Sequence, residues 1–400
     1  MNFTDRPVEH HIAALPTTRP ATSPVDPPTE LGELRATAPL VRLSFPDGHV
    51  GWLATGYSIV RTILSDSRFS TRYEIGHYPM ADAGAMPPAE PGDMQGVDAP
   101  EHTRYRKLLA GRFTVRRMRQ LEDRIIEITA RQLEVMAAAG GPLDLVPHFA
   151  HPVPALVICE LLGVPYADRD LFRRNMSALG GVEDSMQQRV TAFRTIVAYI
   201  SELVAVKRRS PTDDILSELT TSDLTDAELA GIGALLLGAG LDTTANMVAL
   251  GTLTLLRHPE QLATVRDDPE AVDRAVEELM RYLTIAHTNL RTAVQDVEIA
   301  GTRIAAYESV ALAMQAANRD PAKFADPDVL DIARDATGHI GFGHGRHQCL
   351  GQQLARMEMR IALPALLRRF PTLRLAAPVA EIPMRAGLDI YGVHSLPVDW

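Results

Sequence analysis

The stretch from Leu229 to Leu256 limits the fold more than any other part of the chain. Over 28 residues it carries one formal charge, Asp242. As a helix rising about 1.5 Å per residue it would span roughly 40 Å. It is apolar nearly all round, and such a helix must be buried. A membrane span is the competing reading, but an acid at mid-helix is costly in lipid, and no other segment resembles a span. The expectation is a buried central helix. Its middle reads Ala239-Gly240-Leu241-Asp242-Thr243-Thr244. Glycine and β-branched residues weaken a helix locally, and a Thr hydroxyl can bond back to the preceding turn and bend it. Two readings stay open there: a capped kink without chemistry, or a carboxylate and hydroxyl that relay protons.

The chain of 400 residues is long for one ordinary domain but within reach of a large single-core enzyme. Its net charge of −10 argues against nucleic-acid binding, which wants a basic footprint. Two cysteines, Cys159 and Cys349, make no disulfide framework and suit a reducing compartment. No cationic-then-apolar leader opens the chain, so a cytoplasmic protein is expected. Residues 1–30 carry Pro16, Pro20, Pro24, Pro27 and Pro28 and read as an extended arm; residues 31–400 read as one domain.

Helical spacing of apolar residues recurs over 115–138, 154–163, 190–207, 226–257, 260–283 and 350–369. Short β-like runs stand in 40–45, 49–55, 297–314 and 372–399, with a helical stretch at 57–66. The predicted class is mainly α with a small β portion. Tyr73–Val97 reads as a long loop with Met80, Met86 and Met94, and a loop of that length is usually functional or disordered. Seven cations (Arg104, Arg106, Lys107, Arg112, Arg116, Arg117, Arg119) lie together without an acid. They form either a solvated face or a docking patch for an acidic partner.

The segment Gly341-Phe342-Gly343-His344-Gly345-Arg346-His347-Gln348-Cys349-Leu350-Gly351 precedes a helix. It fails as a dinucleotide fingerprint, because Arg346 stands where the third glycine should. Zinc on His344, His347 and Cys349 is conceivable but lacks a familiar spacing. A single thiolate ligand reads better: Cys349 would sit where a helix begins, which favours the thiolate. Glycines let the backbone approach a flat cofactor, and one axial Cys is how a haem-thiolate centre is held. Cys159, inside an apolar run, reads as a small buried hydrophobe.

FGHGRHQCLG resembles the haem-binding signature of cytochromes P450. AGLDTT resembles their oxygen-activation motif, and Glu278-Leu-Met-Arg281 their ExxR motif. The segments 101–106 (EHTRYR) and 317–320 (ANRD) are also similar, and all five come in the family order. Among P450s the chain is most similar to soluble actinobacterial enzymes of secondary metabolism. The resemblance implies the P450 fold, with haem b between the long central helix and the Cys loop. It implies Cys349 as iron ligand, Thr243 beside bound dioxygen, and Asp242 relaying protons from solvent. His102, Arg106, Arg291 and His347 fill the propionate-binding positions, and Glu278, Arg281 and Arg334 a structural ion network.

The resemblance also places substrate contacts in the loop 74–97, the region 170–190, at Leu235, Gly238 and Ala239, at Ala286, His287, Asn289 and Leu290, and at Ile390 and Tyr391. His287 and Asn289 either hydrogen-bond an oxygenated substrate or make satisfied loop contacts. The implied activity is a monooxygenase that hydroxylates or epoxidises a sizeable natural product, such as a macrolide or polyketide. Its electrons would come from a ferredoxin and a ferredoxin reductase linked to NAD(P)H. Alternatives are a P450-fold enzyme of oxidative coupling, desaturation or ring formation, and a haem- or ligand-binding protein without turnover. Neither a nucleic acid nor a membrane is an expected partner.

Overall fold

The computed structural model describes residues 10–113, 115–168 and 186–400. Its axis is the helix Asp226–Leu256, which starts three residues before the apolar run. A capping box explains the start. The Thr225 hydroxyl accepts from the Glu228 N–H, and the Glu228 carboxylate accepts from the Thr225 N–H at 2.8 Å. Among the described residues this is the one helix long and apolar enough to cross a membrane, and 67% of its most apolar window is buried in the protein. It is a core helix.

Two clusters divide that helix. Its first half packs Leu229, Ile232, Leu236 and Leu237 against the helices Pro152–Leu162 and Met186–Arg209, where Cys159 is also buried. The second half packs Met247, Leu250 and Leu253 against Met359, Leu363 and Leu366 of the helix Gln352–Arg369. Helix bounds elsewhere follow the apolar spacing closely, with one difference. The run 260–283 forms two helices, Pro259–Asp267 and Val272–Leu283. Pro269 separates them, because it has no N–H to continue the first.

A six-stranded sheet lies to one side. Its order is His11–Ile12, Leu40–Ser44, Val50–Ala54, Ser309–Ala313, Thr288–Ala293, Phe69–Ser70. Val50–Ala54 runs parallel to Ser309–Ala313, joining segments more than 250 residues apart. Ser309–Ala313 pairs antiparallel with Thr288–Ala293, setting Arg291 opposite Val310. Asn289 and Arg291, two apart, therefore share a face.

Glu278 and Arg281, on Val272–Leu283, are both fully buried and meet at 2.7 Å and 2.8 Å. Arg281 also donates to the carbonyls of Asn318 and Pro327. Arg334 and the Asp331 N–H converge on Glu278 Oε1. From the following turn Asn318 accepts from the Ile340 N–H and donates to Thr284. One charged knot thus fixes the approach to the Gly341–Cys349 loop.

Removing one member of a buried ion pair costs about 3–5 kcal/mol. Glu278→Ala should lower the urea midpoint accordingly, with Arg281 left unpaired. Glu228 gives a pH signature. The Arg104 guanidinium at 2.5 Å is the main cause that holds its carboxyl down at about 2, from 4.5. A depressed carboxyl stabilises the fold above its unfolded value, and that contribution fades as pH falls from 4.5 toward about 2. Glu228→Gln should make the acid limb of a stability–pH curve shallower over that interval.

Candidate active site

A cavity of about 750 Å³ opens beside the middle of the central helix. Leu235, Ala239, Gly240, Thr243 and Thr244 line one wall. The helix runs unbroken through them. The Thr243 hydroxyl donates back to the Ala239 carbonyl at 2.7 Å, and Asn246 Nδ2 donates to the Asp242 carbonyl at 2.8 Å. The Thr243 bond is the back-bond to the preceding turn that the sequence suggests, made inside a continuous helix.

Opposite lies the Cys349 loop. Gly343 and Gly345 take φ of +72° and +75°, which L side chains rarely adopt. A Cβ on Gly345 would also stand 2.5 Å from the Leu64 carbonyl oxygen. The turn delivers Cys349 to the cavity wall, its N–H bonded to the Phe342 carbonyl at 2.8 Å. The helix begins at Gln352, three residues later than Cys349. Burial pushes the thiol up, while the Gly351 N–H and the guanidinia of Arg106 and Arg356 act against it. The helix terminus alone therefore does not set the thiolate here; a bound metal cation deprotonates a coordinating thiol outright.

One end of the cavity is strongly cationic. Arg106, Arg291 and His347 line it, and the His102 ring lies 4.1 Å from that of His347. His102 Nε2 and Arg106 Nη1 are buried with no protein partner. Burial first, then the Arg346 guanidinium, lowers Arg291 to about 10, with the Asp98 carboxylate acting against them. Burial first, then His102, Arg291, Arg346 and Arg106, pushes His347 down to about 3. The Asp98 carboxylate, itself bonded to Ser70, acts on both His102 and Arg291. Unpaired buried donors and like charges call for an anion. A flat cofactor with two carboxylates at its edge fits this wall, with Cys349 positioned to meet a central metal. Three-ligand metal clusters of His, Cys, Asp or Glu do not occur among the described residues, which leaves zinc on His344, His347 and Cys349 without support.

The chain is 49% identical to Cytochrome P450 105C1 from Streptomyces sp over 94% of its own length and 95% of the relative's. It is 45% identical to pentalenic acid synthase from Streptomyces avermitilis, over 95% and 96%. The chain belongs to the cytochrome P450 family. The cytochrome P450 family model matches residues 182–378. A crystal structure of CYP105P1 in complex with filipin I superposes with a TM-score of 0.90 at 42% identity, covering 97% of this chain and 98% of that one. The protein is a P450 monooxygenase, an oxidoreductase with haem b as cofactor. P450s of this bacterial group act on small molecules with electrons from redox partners.

Several residues singled out in the sequence meet at this P450 cavity and others do not. Leu235, Ala239, Ala286, Asn289, Leu290 and Ile390 line it. So do Met80, Met86 and Met94 of the loop after Tyr73. His287 and Gly238 are not among the lining residues. The His287 ring is held between Thr288 Oγ1 and the Leu388 carbonyl, at 2.8 and 2.9 Å. Tyr391 is buried beneath the cavity, its hydroxyl donating to the Pro24 carbonyl. Residues 170–185 of the region 170–190 lie outside the described residues.

The basic run also divides. Arg104 pairs with Asp223 and Glu228, Arg112 with Glu218, and Arg106 faces the cavity. Lys107 and Arg119 are exposed, and the side chains of Arg116 and Arg117 lie outside the described set. Sequence reasoning missed Arg385, which bonds both Asp242 oxygens, because no motif marks it.

A charge-assisted hydrogen bond is worth about 1.5–3 kcal/mol. Arg291→Leu should therefore weaken haem binding by about ten- to a hundredfold, measured by transfer of haem to apomyoglobin.

Proposed function

We propose that this P450 inserts one oxygen atom of O2 into a sizeable natural product, in the cytoplasm, with electrons from a ferredoxin and its reductase. In this reading residues 31–400 form one catalytic domain and residues 1–30 an arm. The observation that carries it is the cavity, whose walls set Cys349 and the basic cluster against Thr243 of the central helix. Its mouth is lined by Tyr78, Met80 and Met86. Flexible methionines adapt to irregular ligands. The filipin complex of a structural neighbour and the name pentalenic acid synthase of a relative support a natural-product substrate.

Haem b, when bound, supplies the iron at which dioxygen is activated. Cys349 holds that iron through its sulfur, and His102, Arg106, Arg291 and His347 hold the propionates. Arg is suited to this because its planar fork meets a carboxylate at two points. Thr243 turns its hydroxyl from the Ala239 carbonyl into the cavity and orders a proton donor there. Asp242, whose side chain is 30% exposed, takes protons from solvent and passes them inward. Apolar Leu235, Leu290 and Ile390 exclude bulk water and orient the substrate. Among the described side chains of the basic run, exposed Lys107 and Arg119 face an acidic electron donor.

A positioned proton donor contributes about 10²–10⁴-fold. Thr243→Ala and Asp242→Asn should each cut product formation at least tenfold while NADPH is still consumed and hydrogen peroxide accumulates. Substrates are to be found by titrating macrolides and terpenoid acids against the Soret band. A product carrying one atom from 18O2 is expected. A product without added oxygen would favour desaturation or ring closure instead, and no product with any ligand that shifts the Soret band would favour binding without turnover.

A further inference from the structure

The acid on the central helix is not free. Arg385 Nη1 meets Asp242 Oδ1 at 2.6 Å and Nη2 meets Oδ2 at 3.1 Å, so one guanidinium holds both carboxylate oxygens. Asn246 Nδ2 adds a bond to Oδ1 at 3.2 Å. Arg385 is buried, and its Nε has no partner. Nothing in its own segment requires such a residue. An arginine drawn into the core with one donor unspent costs stability, and what it touches is Asp242.

Its position matters as much as its partner. Arg385 opens the turn 385–392, closed by its N–H donating to the Gly392 carbonyl at 2.9 Å. Gly392 must be glycine: a Cβ there would stand 1.6 Å from Asn246 Oδ1. Within the turn, Asp389 and Ile390 line the cavity. Ile390 bridges to Ala286, and the Tyr391 N–H donates to the Ile285 carbonyl; both partners line the cavity too. One short turn therefore touches the cavity with one side and the acid with the other. His151 also faces this pair; burial holds it below its usual range, and Asp144 acts on it as well.

We propose that Arg385 is a positioning residue that presents the Asp242 carboxylate and, through the turn 385–392, makes proton delivery at Asp242 responsive to what fills the cavity. This rests on the reading of Asp242 as the proton relay. An acid held at two points cannot swing between solvent and the cavity until the fork yields. The fork is borne by the same turn that the substrate presses.

The test uses the haem-loaded full chain, with Arg385→Gln, Arg385→Lys, Asp242→Asn and the double variant Arg385→Gln/Asp242→Asn. An unchanged reduced-CO spectrum checks folding. Asp242 is labelled with carbodiimide and glycine ethyl ester and read by mass spectrometry. Arg385→Gln should label several-fold faster than wild type, with Arg385→Lys between them, while Asp144 labels alike in all. Clotrimazole, a bulky azole that fills the cavity, should change Asp242 labelling in wild type and leave it unchanged in Arg385→Gln. NADPH oxidation with a surrogate ferredoxin and reductase is followed in H2O and D2O. Misplacing a catalytic group by about 1 Å can cost about a hundredfold, so Arg385→Gln should slow oxidation and raise the solvent isotope effect. The double variant should be no slower than Asp242→Asn.

Equal labelling in wild type and Arg385→Gln overturns the proposal. So does a clotrimazole effect that survives in Arg385→Gln, or a rate loss that adds to that of Asp242→Asn. If Asp242→Asn alone leaves both rate and isotope effect at wild-type values, the relay reading fails first, and the labelling still reports whether the fork exists.

Discussion

A carboxylate and a guanidinium with no solvent exposure sit at the root of this fold. Glu278 and Arg281 satisfy each other at two points. The remaining Arg281 donors take carbonyls from the turn after Ala317 and from Pro327. An ion pair taken out of water stabilises little unless its spare donors and acceptors are also filled. Here the filling is done by segments that lead to the Cys349 loop. The same bonds that make the burial tolerable thus fix where the loop begins, and the cavity takes its shape from that.

The cavity has two contrasting ends. One is a wall of basic side chains drawn from a helix near residue 102, a strand near 291 and the loop before 349, its charge carried by Arg106 and Arg291. The other is apolar and bounded by adaptable methionines. A group with a charged edge and a flat apolar body matches both at once. Orientation of the cofactor follows from charge at one edge, and substrate choice is left to the apolar end.

Much of this was legible in the sequence because it is written locally. The single charge in a 28-residue apolar run marked the buried helix and its acid. Glycines clustered before Cys349 marked a backbone that approaches a flat group closely; the left-handed φ of Gly343 and Gly345 came only with the structure. The pairing of Val50–Ala54 with Ser309–Ala313 was not legible, because periodicity says which face a strand buries but not which partner it finds. The run from Arg104 to Arg119 read as one basic patch. A helix distributes its residues around an axis, so Arg104 turns to Glu228 and Arg106 to the cavity. His287 and Asn289 looked alike as polar residues. His287 lies just before the strand Thr288–Ala293 and so outside its alternation, and its ring finds its partners in Thr288 and the Leu388 carbonyl instead. Arg385 left no local trace at all, since its partner lies 143 positions away.

The cationic wall also bears on how the chain comes to be folded in a cell. Its members arrive from stretches around residues 102, 291 and 347 and repel one another when gathered in a dry place. A dianionic cofactor that binds only the gathered state stabilises that state by mass action. Haem supply is then a determinant of how much folded protein accumulates, and not only of how much of it is active. Chains made faster than haem is delivered would linger with this wall unassembled, where proteases act.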